Sequence, residues 1–407
     1  MLKIAFLSSI SSKNVHTGGS EESLRLLINQ FLYKKIKIYL ITYPDNLLNK
    51  VNDRVIRIKH KCLSTMELYA PPVTLIPRIL FDIKRCEKEG CEVCHVYNVF
   101  AMAGAGLYKL LGGKVVLIGT LNNYAGVCPA GHYLCGEVNK CNLIRRIRCL
   151  AENRSILFKL LSPYYALIYP LIIRLMKRLN GYIAISNSVK KNYISCGYES
   201  SKICVISNFV EKISCSYKNV DVTNLGGYFQ ILYVGGLSKH KGVDVLILAF
   251  SKLVKKNPKC HLIIVGDGPC RKYYEDLIRD LSLNDTVSLI GKIEHEKIWK
   301  YYQESSIFVH PGMWQEPFGR TILEAMSFGL PCVVSDVGAP PEIVGDAGLK
   351  FTKGDFNSLY DCLDKLCCNK DLRERLKSNI PERLDKYDPQ KTIDYFLKYY
   401  NYLLNEA

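Results

Sequence analysis

The segment HPGMWQEPFGRTILEAMSFGLPCVVSD (310–336) sets two carboxylates in a promising order. Glu316 lies in a Pro- and Gly-rich loop, and Glu324 follows eight residues later on a helix expected to start near Phe318. One acid then sits on the approach to the helix and the other about two turns into it, so they do not form a same-face acid/base pair. The N–H groups of Phe318, Gly319, Arg320 and Thr321 lie between them, where a helix start offers an anion site. A phosphorylated ligand held there presents a sugar to Glu316 and ribose hydroxyls to Glu324. Spacing alone is a weak signal, because any surface helix supplies acids eight residues apart.

Other chemistry-bearing patterns are poorer. Cys128, Cys135, Cys141 and Cys149 punctuate a polar loop, but their spacings contain no CxxC hook and match no zinc ribbon. Free thiols, a local disulfide or a structural metal remain open for them. Cys91-Glu-Val-Cys94-His95 matches the c-type haem attachment pattern literally. That attachment belongs generally to exported proteins, and here Cys94 and His95 enter an apolar strand. GDGP (266–269) does not complete a G-x-G-x-x-G fingerprint. The eight histidines form no H-x3-H or HExxH cluster, so no catalytic metal or other cofactor is indicated.

These residues need a scaffold, and the composition supplies one. The chain has 407 residues, 48% apolar and 23% charged, which leaves material for two or three cores and excludes whole-chain disorder, collagen or coiled coil. The net charge of +17 favours anionic partners: phosphorylated substrates, acidic lipid surfaces or nucleic acid. No aromatic RNA signature or recognition motif supports nucleic acid. MLKIAFLSSISSK has no apolar h-region behind it, and no window reaches the ~18 apolar residues of a membrane span. With seventeen cysteines read as reduced thiols, the expectation is a cytoplasmic chain.

Short β-rich runs alternate with helical patterns throughout, which predicts βαβ units and parallel sheets. KIAFLS (3–8) precedes a polar loop through Gly18 and Gly19, then an amphipathic helix with Leu24, Leu27, Ile28, Phe31 and Leu32 on one face. As plain structure, Gly18-Gly19 is a strand-to-helix turn. Further strands are expected at IKIYLIT, VCHVYNV, KVVLIGT, GYIAIS and KICVISN. A second cycle opens at FQILYVGG (229–236) and continues through HLIIVGDG, TVSLIG, SIFVHP and PCVVSD. The organisation predicted is an N-terminal doubly wound domain (1–210), a linker (211–227), a C-terminal doubly wound domain (228–387) and a terminal helix (388–407) packing back on the first domain.

One region breaks this rhythm. Residues 140–178 carry nine Lys or Arg against one acid, Glu152, around the uncharged run LLSPYYALIYPLII (160–173), which Pro163 and Pro170 interrupt. Two readings stand: an interfacial surface for anionic lipid, or an inserted helical pair packed on the first domain with solvated basic ends.

The segment 310–336 resembles the E-x7-E signature of the retaining GT-B glycosyltransferases of family 4, through EPFG, LEA and the following G-P-V pattern. YVGGLSKHKGVDVLILAF, IIVGDGPCRKYYEDL, VSLIGKI and VVSDVGAPPEIVGDAGLKF resemble successive parts of that family's second domain. HTGGSEESL, YIAISNSVKK and VISNFVE resemble parts of its first. The resemblance implies an α/β GT-B fold, two Rossmann-like domains facing across a cleft, and sugar transfer from a nucleoside-diphosphate sugar to a glycan or lipid-linked glycan.

It also implies roles. Lys241 would neutralise the donor diphosphate, beside Gly236, where the family often carries arginine. Glu316 would hold the transferred sugar and stabilise positive charge at its anomeric carbon. Glu324 would accept from ribose, Ile290 would lie against the base, and Phe318, Gly319, Arg320 and Thr321 would meet the donor. Gly18 and Gly19 would bring backbone to the sugar or phosphate. Asn122 stands where the family frequently has histidine, and would position the acceptor rather than transfer a proton. The implied enzyme is cytoplasmic, peripheral at the inner face of the membrane if 140–178 is interfacial. A non-catalytic glycan- or nucleotide-binding protein on the same scaffold is the alternative, with an epimerase of related architecture disfavoured by the E-x7-E context.

Overall fold

A computed structural model describes residues 2–9, 19–34, 36–43, 55–57, 71–129, 131, 141–152, 156–210 and 227–407. Gly18, Cys135 and residues 211–226 of the expected linker lie outside the described residues. The chain divides into two compact units, one formed by 1–208 with 389–407 and the other by 209–388.

The first unit runs β1 (Lys3–Ser9), α1 (Gly19–Tyr33), β2 (Lys37–Tyr43), β3 (Val55–Arg57), α2 (Pro71–Lys88), β4 (Val93–Tyr97), α3 (Val99–Leu110), β5 (Val116–Leu121), α4 (Leu143–Ala151), α5 (Ile156–Met176), β6 (Gly181–Ala184), α6 (Asn187–Ser195) and β7 (Ile203–Val205). Its strands form a parallel sheet in the order β3-β2-β1-β4-β5-β6-β7. β4 and β5 are buried along their whole length, which is why they read as continuous apolar runs rather than alternating ones.

The second unit runs β8 (Phe229–Val234), α7 (Val243–Lys256), β9 (Cys260–Val265), α8 (Arg271–Asp280), β10 (Val287–Gly291), α9 (His295–Glu304), β11 (Ile307–His310), α10 (Arg320–Ser327), β12 (Cys332–Ser335), α11 (Pro340–Val344), β13 (Gly348–Phe351), α12 (Phe356–Cys368) and α13 (Lys370–Asp385). Its parallel sheet has the order β10-β9-β8-β11-β12-β13. In each sheet the strand order reverses once, between β1 and β4 and between β8 and β11. Open α/β sheets bind ligands outside the carboxyl ends of the strands at such a point.

A last helix, α14 (Pro389–Asn405), belongs to the first unit. Its Tyr399 hydroxyl donates to the Lys202 carbonyl at 2.8 Å, Lys34 pairs with Asp394 at 3.1 Å, and Tyr400 stacks on Phe31. Tyr400 also meets the CxxCH histidine: His95 Nδ1 lies 2.6 Å from Tyr400 Oη, and its Nε2 lies 2.5 Å from Thr120 Oγ1. Both ring nitrogens are thus engaged in a buried polar cluster, and burial lowers the His95 pKa to about 3. Cys94 is fully buried beside it. The haem-like spelling is part of a strand core.

The basic segment forms two packed helices, α4 and α5, and α5 also packs on α3. Pro163 and Pro170 do not break the helix: α5 is continuous from Ile156 to Met176. A proline N–H is missing from the ladder, so Pro163 frees the carbonyl of Lys159. The Ser162 hydroxyl donates to that carbonyl at 2.8 Å and replaces the lost bond. Both prolines lie on the exposed side, where their rings face away from the packed helices. The approach of α3 to α5 depends on Gly106, because a Cβ there would overlap the Leu175 carbonyl. Gly106→Val should therefore force the helices apart and lower the melting temperature by several degrees, from a loss on the order of 2 kcal/mol. Circular dichroism melting checks this, and an unchanged melting temperature would mean that α3 and α5 do not depend on the missing Cβ at Gly106.

Candidate active site

In the second unit the chain leaves β8 through Gly235 and Gly236, makes a short 3-10 turn over Lys239–Lys241, and enters α7 at Gly242. Gly242 has φ +68°, and a Cβ on it would overlap the Pro311 carbonyl. Only glycine therefore lets this loop touch the loop after β11. The Met313 N–H donates to the His240 carbonyl at 2.8 Å and ties the two loops together. The switch point of the sheet thus brings together residues 75 positions apart: Lys241 Nζ donates to Glu316 Oε2 at 2.6 Å.

Glu316 is held from several directions. Its N–H donates to the Trp314 carbonyl at 2.7 Å, its carbonyl accepts from Ala339 N at 2.9 Å, and Gly338 at φ +77° packs against its backbone. The same Oε2 accepts from Trp314 Nε1 at 2.9 Å and lies 3.7 Å from His310 Nε2. Lys241 lies over the Trp314 ring at 5.1 Å. Burial pushes the Glu316 pKa upward, but the Lys241 charge, His310 and the hydrogen bonds from Lys241 and Trp314 outweigh it and hold the group below its ordinary value. Burial lowers His310 to about 4, against a smaller upward pull from Glu316. At neutral pH His310 is uncharged, so Lys241 supplies the cation that keeps Glu316 ionised.

The helix that follows starts later than the sequence predicts. Gly319, at φ 100° and ψ 62°, cannot be a helical residue, so α10 begins at Arg320 and Glu324 stands little more than one turn in, not two. No side chain caps this start. Phe318 sends its ring into the core against Tyr387, leaving only its backbone for a ligand. Glu324 is buried, accepts from Tyr302 Oη at 3.1 Å and lies 3.8 Å from Arg320 Nη2. Thr321 is half-buried on the first turn.

Other expected residues sit at carboxyl ends of strands. Ile290 is half-buried at an irregularity in the β10–β9 register between Leu289 and Gly291, which takes it out of the ladder. Gly236 faces space: a Cβ there would meet nothing nearer than the Asp267 carbonyl at 4.0 Å. In the first unit, Gly19 opens α1 and the half-buried Asn122 directly follows β5. Trp314, His310 and Tyr302 join the site without having been expected there from the sequence. Trp314 stands two residues before Glu316 in the same loop, a signal available in the sequence; Tyr302 comes from another helix and carries none. Cys128 is buried, and Cys141 and Cys149 are partly exposed. Among the described residues no cluster of His, Cys, Asp or Glu could hold a metal ion.

Residues 17–212 match the family model Glycosyltransferase Family 4, and residues 219–383 match Glycosyl transferases group 1. The alpha-D-kanosaminyltransferase of Streptomyces kanamyceticus is 32% identical over 151 residues, 37% of this chain and 39% of that protein. The capsular polysaccharide biosynthesis glycosyltransferase CapM of Staphylococcus aureus is 28% identical over 244 residues, 58% of this chain and 62% of that one. The chain spans less than two thirds of the length of the curated relatives it matches. Anabaena Alr3699/HepE, solved in complex with UDP, superposes with a TM-score of 0.72 at 18% identity, covering 98% of this chain and 99% of that one. The fold is GT-B, and both halves of the chain carry glycosyltransferase sequence.

Removing one partner of this half-buried ion pair leaves the other charge without its partner, at a cost of about 1–3 kcal/mol. Lys241→Met and Glu316→Gln should each lower the urea midpoint, while the double variant loses less than the sum, with a coupling of about 1–3 kcal/mol. A coupling near zero would mean the two groups do not hold each other. The pH response has a definite sign. His310 is depressed from 6.5 to about 4, so the unfolded chain binds the extra proton first as acid is added. The stability of this unit should be full above pH 6.5 and fall between there and about 4, as fluorescence-detected melts across that range would record. Glu316, with its lowered pKa, adds a further loss below 4.5.

Proposed function

We propose that this chain, which carries glycosyltransferase sequence through both halves on a GT-B fold, moves a sugar from a nucleoside-diphosphate sugar to a glycan or lipid-linked glycan with retention of anomeric configuration. The observation that supports this most is the Lys241–Glu316 contact at the β8/β11 switch point, beside the uncapped start of α10. A cation, an ionised carboxylate and helix N–H groups stand together where an open α/β sheet binds its ligand.

In this reading the donor diphosphate lies along the starts of α7 and α10 and draws the Lys241 ammonium partly away from Glu316. The bond between the anomeric carbon and the diphosphate oxygen breaks, with its electrons leaving on the diphosphate. Lys241 and the N–H groups of Gly319, Arg320 and Thr321 stabilise that growing charge, the effect that usually contributes most in such transfers. Glu316, fixed by Trp314, faces the positive charge that develops on the sugar. The acceptor hydroxyl attacks the face the diphosphate leaves, and its proton departs with the diphosphate oxygen. Glu324 accepts from the ribose hydroxyls, held for that task by Tyr302 and Arg320. Ile290 lies against the base, and Asn122 orients the acceptor. The protein's own cations and dipoles serve the leaving group, so the scheme calls for no metal ion. The enzyme works in the cytoplasm, peripheral at the inner face of the membrane when its acceptor is lipid-linked.

Calorimetric titration with UDP, GDP and ADP tests the donor site, and UDP comes first because the Anabaena structure contains it. One diphosphate should bind selectively, and Lys241→Ala and Glu324→Ala should each weaken it at least tenfold. Glu316→Gln should keep binding yet lose transfer by a factor of about 100 or more. The product anomer, read by NMR, should match that of the donor; inversion would overturn the retaining assignment, and binding without transfer would favour the non-catalytic alternative. Gly236 offers a gain-of-function arm: Gly236→Arg has room and should tighten diphosphate binding about tenfold through an added charge-assisted bond.

A further inference from the structure

The pair α4–α5 carries an apolar face that none of the described residues covers. On α5, Ile156, Leu160, Leu167 and Leu171 recur every four or seven residues, so they share one side of the helix. They are 78%, 72%, 64% and 59% exposed, and Pro163 lies exposed in the same stripe. The stripe runs for about 22 Å at 1.5 Å per residue. On the packed neighbour α4, Ile144 is likewise 76% exposed. The opposite side of α5 is the one that packs, through Ile172, Leu175 and Met176, so the exposed leucines are not a helix waiting to fold inward.

Charge decides what this face fits. Arg148 on α4, Lys159 and Arg174 on α5 and Arg178 just beyond it are exposed around the leucines, and Glu152 is the single acid in residues 140–178. Such density of one sign repels a second copy of the same surface and attracts an anionic one. Among the described residues no helix is long and apolar enough to cross a membrane. We infer that α4 and α5 form an in-plane membrane-binding face, whose leucine stripe enters the boundary between headgroups and acyl chains while the arginines and lysine pair with anionic phospholipid phosphates. Pro163 and Pro170 suit this position, since both lie exposed on the outward side of the helix. The surface stands independently of the transferase reading; only its value for delivering a lipid-linked acceptor rests on that reading.

Flotation through a sucrose gradient tests the inference with the full chain and no donor. Vesicles of phosphatidylcholine with one third phosphatidylglycerol should carry the protein up, and vesicles of phosphatidylcholine alone should carry at least tenfold less. Leu160→Gln with Leu167→Gln should abolish flotation, and Arg148→Ala with Arg174→Ala should reduce it at least fivefold and remove its dependence on phosphatidylglycerol. Because both leucines are already in water, the variants should keep the parent melting temperature and bind nucleoside diphosphate as the parent does. Leu167→Trp supplies an independent reading: its emission should shift to shorter wavelength when anionic vesicles are added. A parent chain that stays at the bottom with anionic vesicles, together with an unshifted emission from the Leu167→Trp variant, overturns the inference. So does a concentration-dependent dimer that the leucine double variant dissolves, which would assign the face to a second copy. If flotation holds and no diphosphate binds, the membrane face stands and the transferase reading falls.

Discussion

A carboxylate half-buried at the edge of a parallel sheet keeps its charge most easily beside a cation, and Glu316 finds Lys241. Most of what surrounds the site follows from making that contact possible. The two residues come from different βα connections, so their meeting requires the strand order to reverse between β8 and β11. It also requires two chain segments to approach more closely than a Cβ allows, which is why Gly242 stands against the Pro311 carbonyl and Gly338 against the backbone of Glu316. Buried ion pairs add little stability over an apolar substitute of the same shape. A pair kept at 2.6 Å, with Trp314 donating to the same oxygen, suits the proposed ligand that would exchange with one partner.

How far this is legible in the sequence depends on the level. The parallel α/β architecture is readable, because strands buried on both faces are continuous apolar runs and the segments between them keep helical periodicity. β3 and β13 do not stand out: each is only three or four residues long and includes a basic residue, Arg57 or Lys350, whereas the equally short β7, β11 and β12 sit in uncharged apolar runs. The late start of α10 escapes a sequence reading because Gly319 looks like an ordinary residue of a helix start until its positive φ is seen. Pro163 and Pro170 read as breaks because a linear sequence does not show that Ser162 takes over the freed carbonyl, nor that both rings face outward.

The site divides the same way. Glu316, Glu324 and Lys241 are named through resemblance, and their roles come with it. Physical reasoning on the sequence alone reaches only an anion-binding helix start between two acids. Nothing in a string of residues places Lys241 within reach of Glu316, since that proximity is a property of the sheet order. The network on Oε2 is less visible still. Trp314 is a neighbour in sequence and open to inference, but His310 reads as a strand end and Tyr302 as one aromatic among 27 tyrosines.

The two proposed ligands, a nucleoside diphosphate and a lipid surface, place different demands on positive charge. A nucleoside diphosphate is small and becomes more negative as it leaves, so it is served by few cations held in a dry, fixed site where each interaction is strong. In the proposed reading Lys241 is balanced by Glu316 until such a ligand arrives, which spares the site the cost of an unpaired, half-buried charge. A lipid surface is extended, wet and static in charge, so it is served by many exposed cations, each weak and screened within about 8 Å at physiological salt. The cluster at 140–178 has that second form: nine basic residues, one acid, and an apolar stripe to add what screened charges cannot. The two sets should therefore differ in their response to ionic strength, diphosphate binding weakly dependent on it and membrane binding steeply so. A single net charge of +17 conceals that difference, and the burial of each group reveals it.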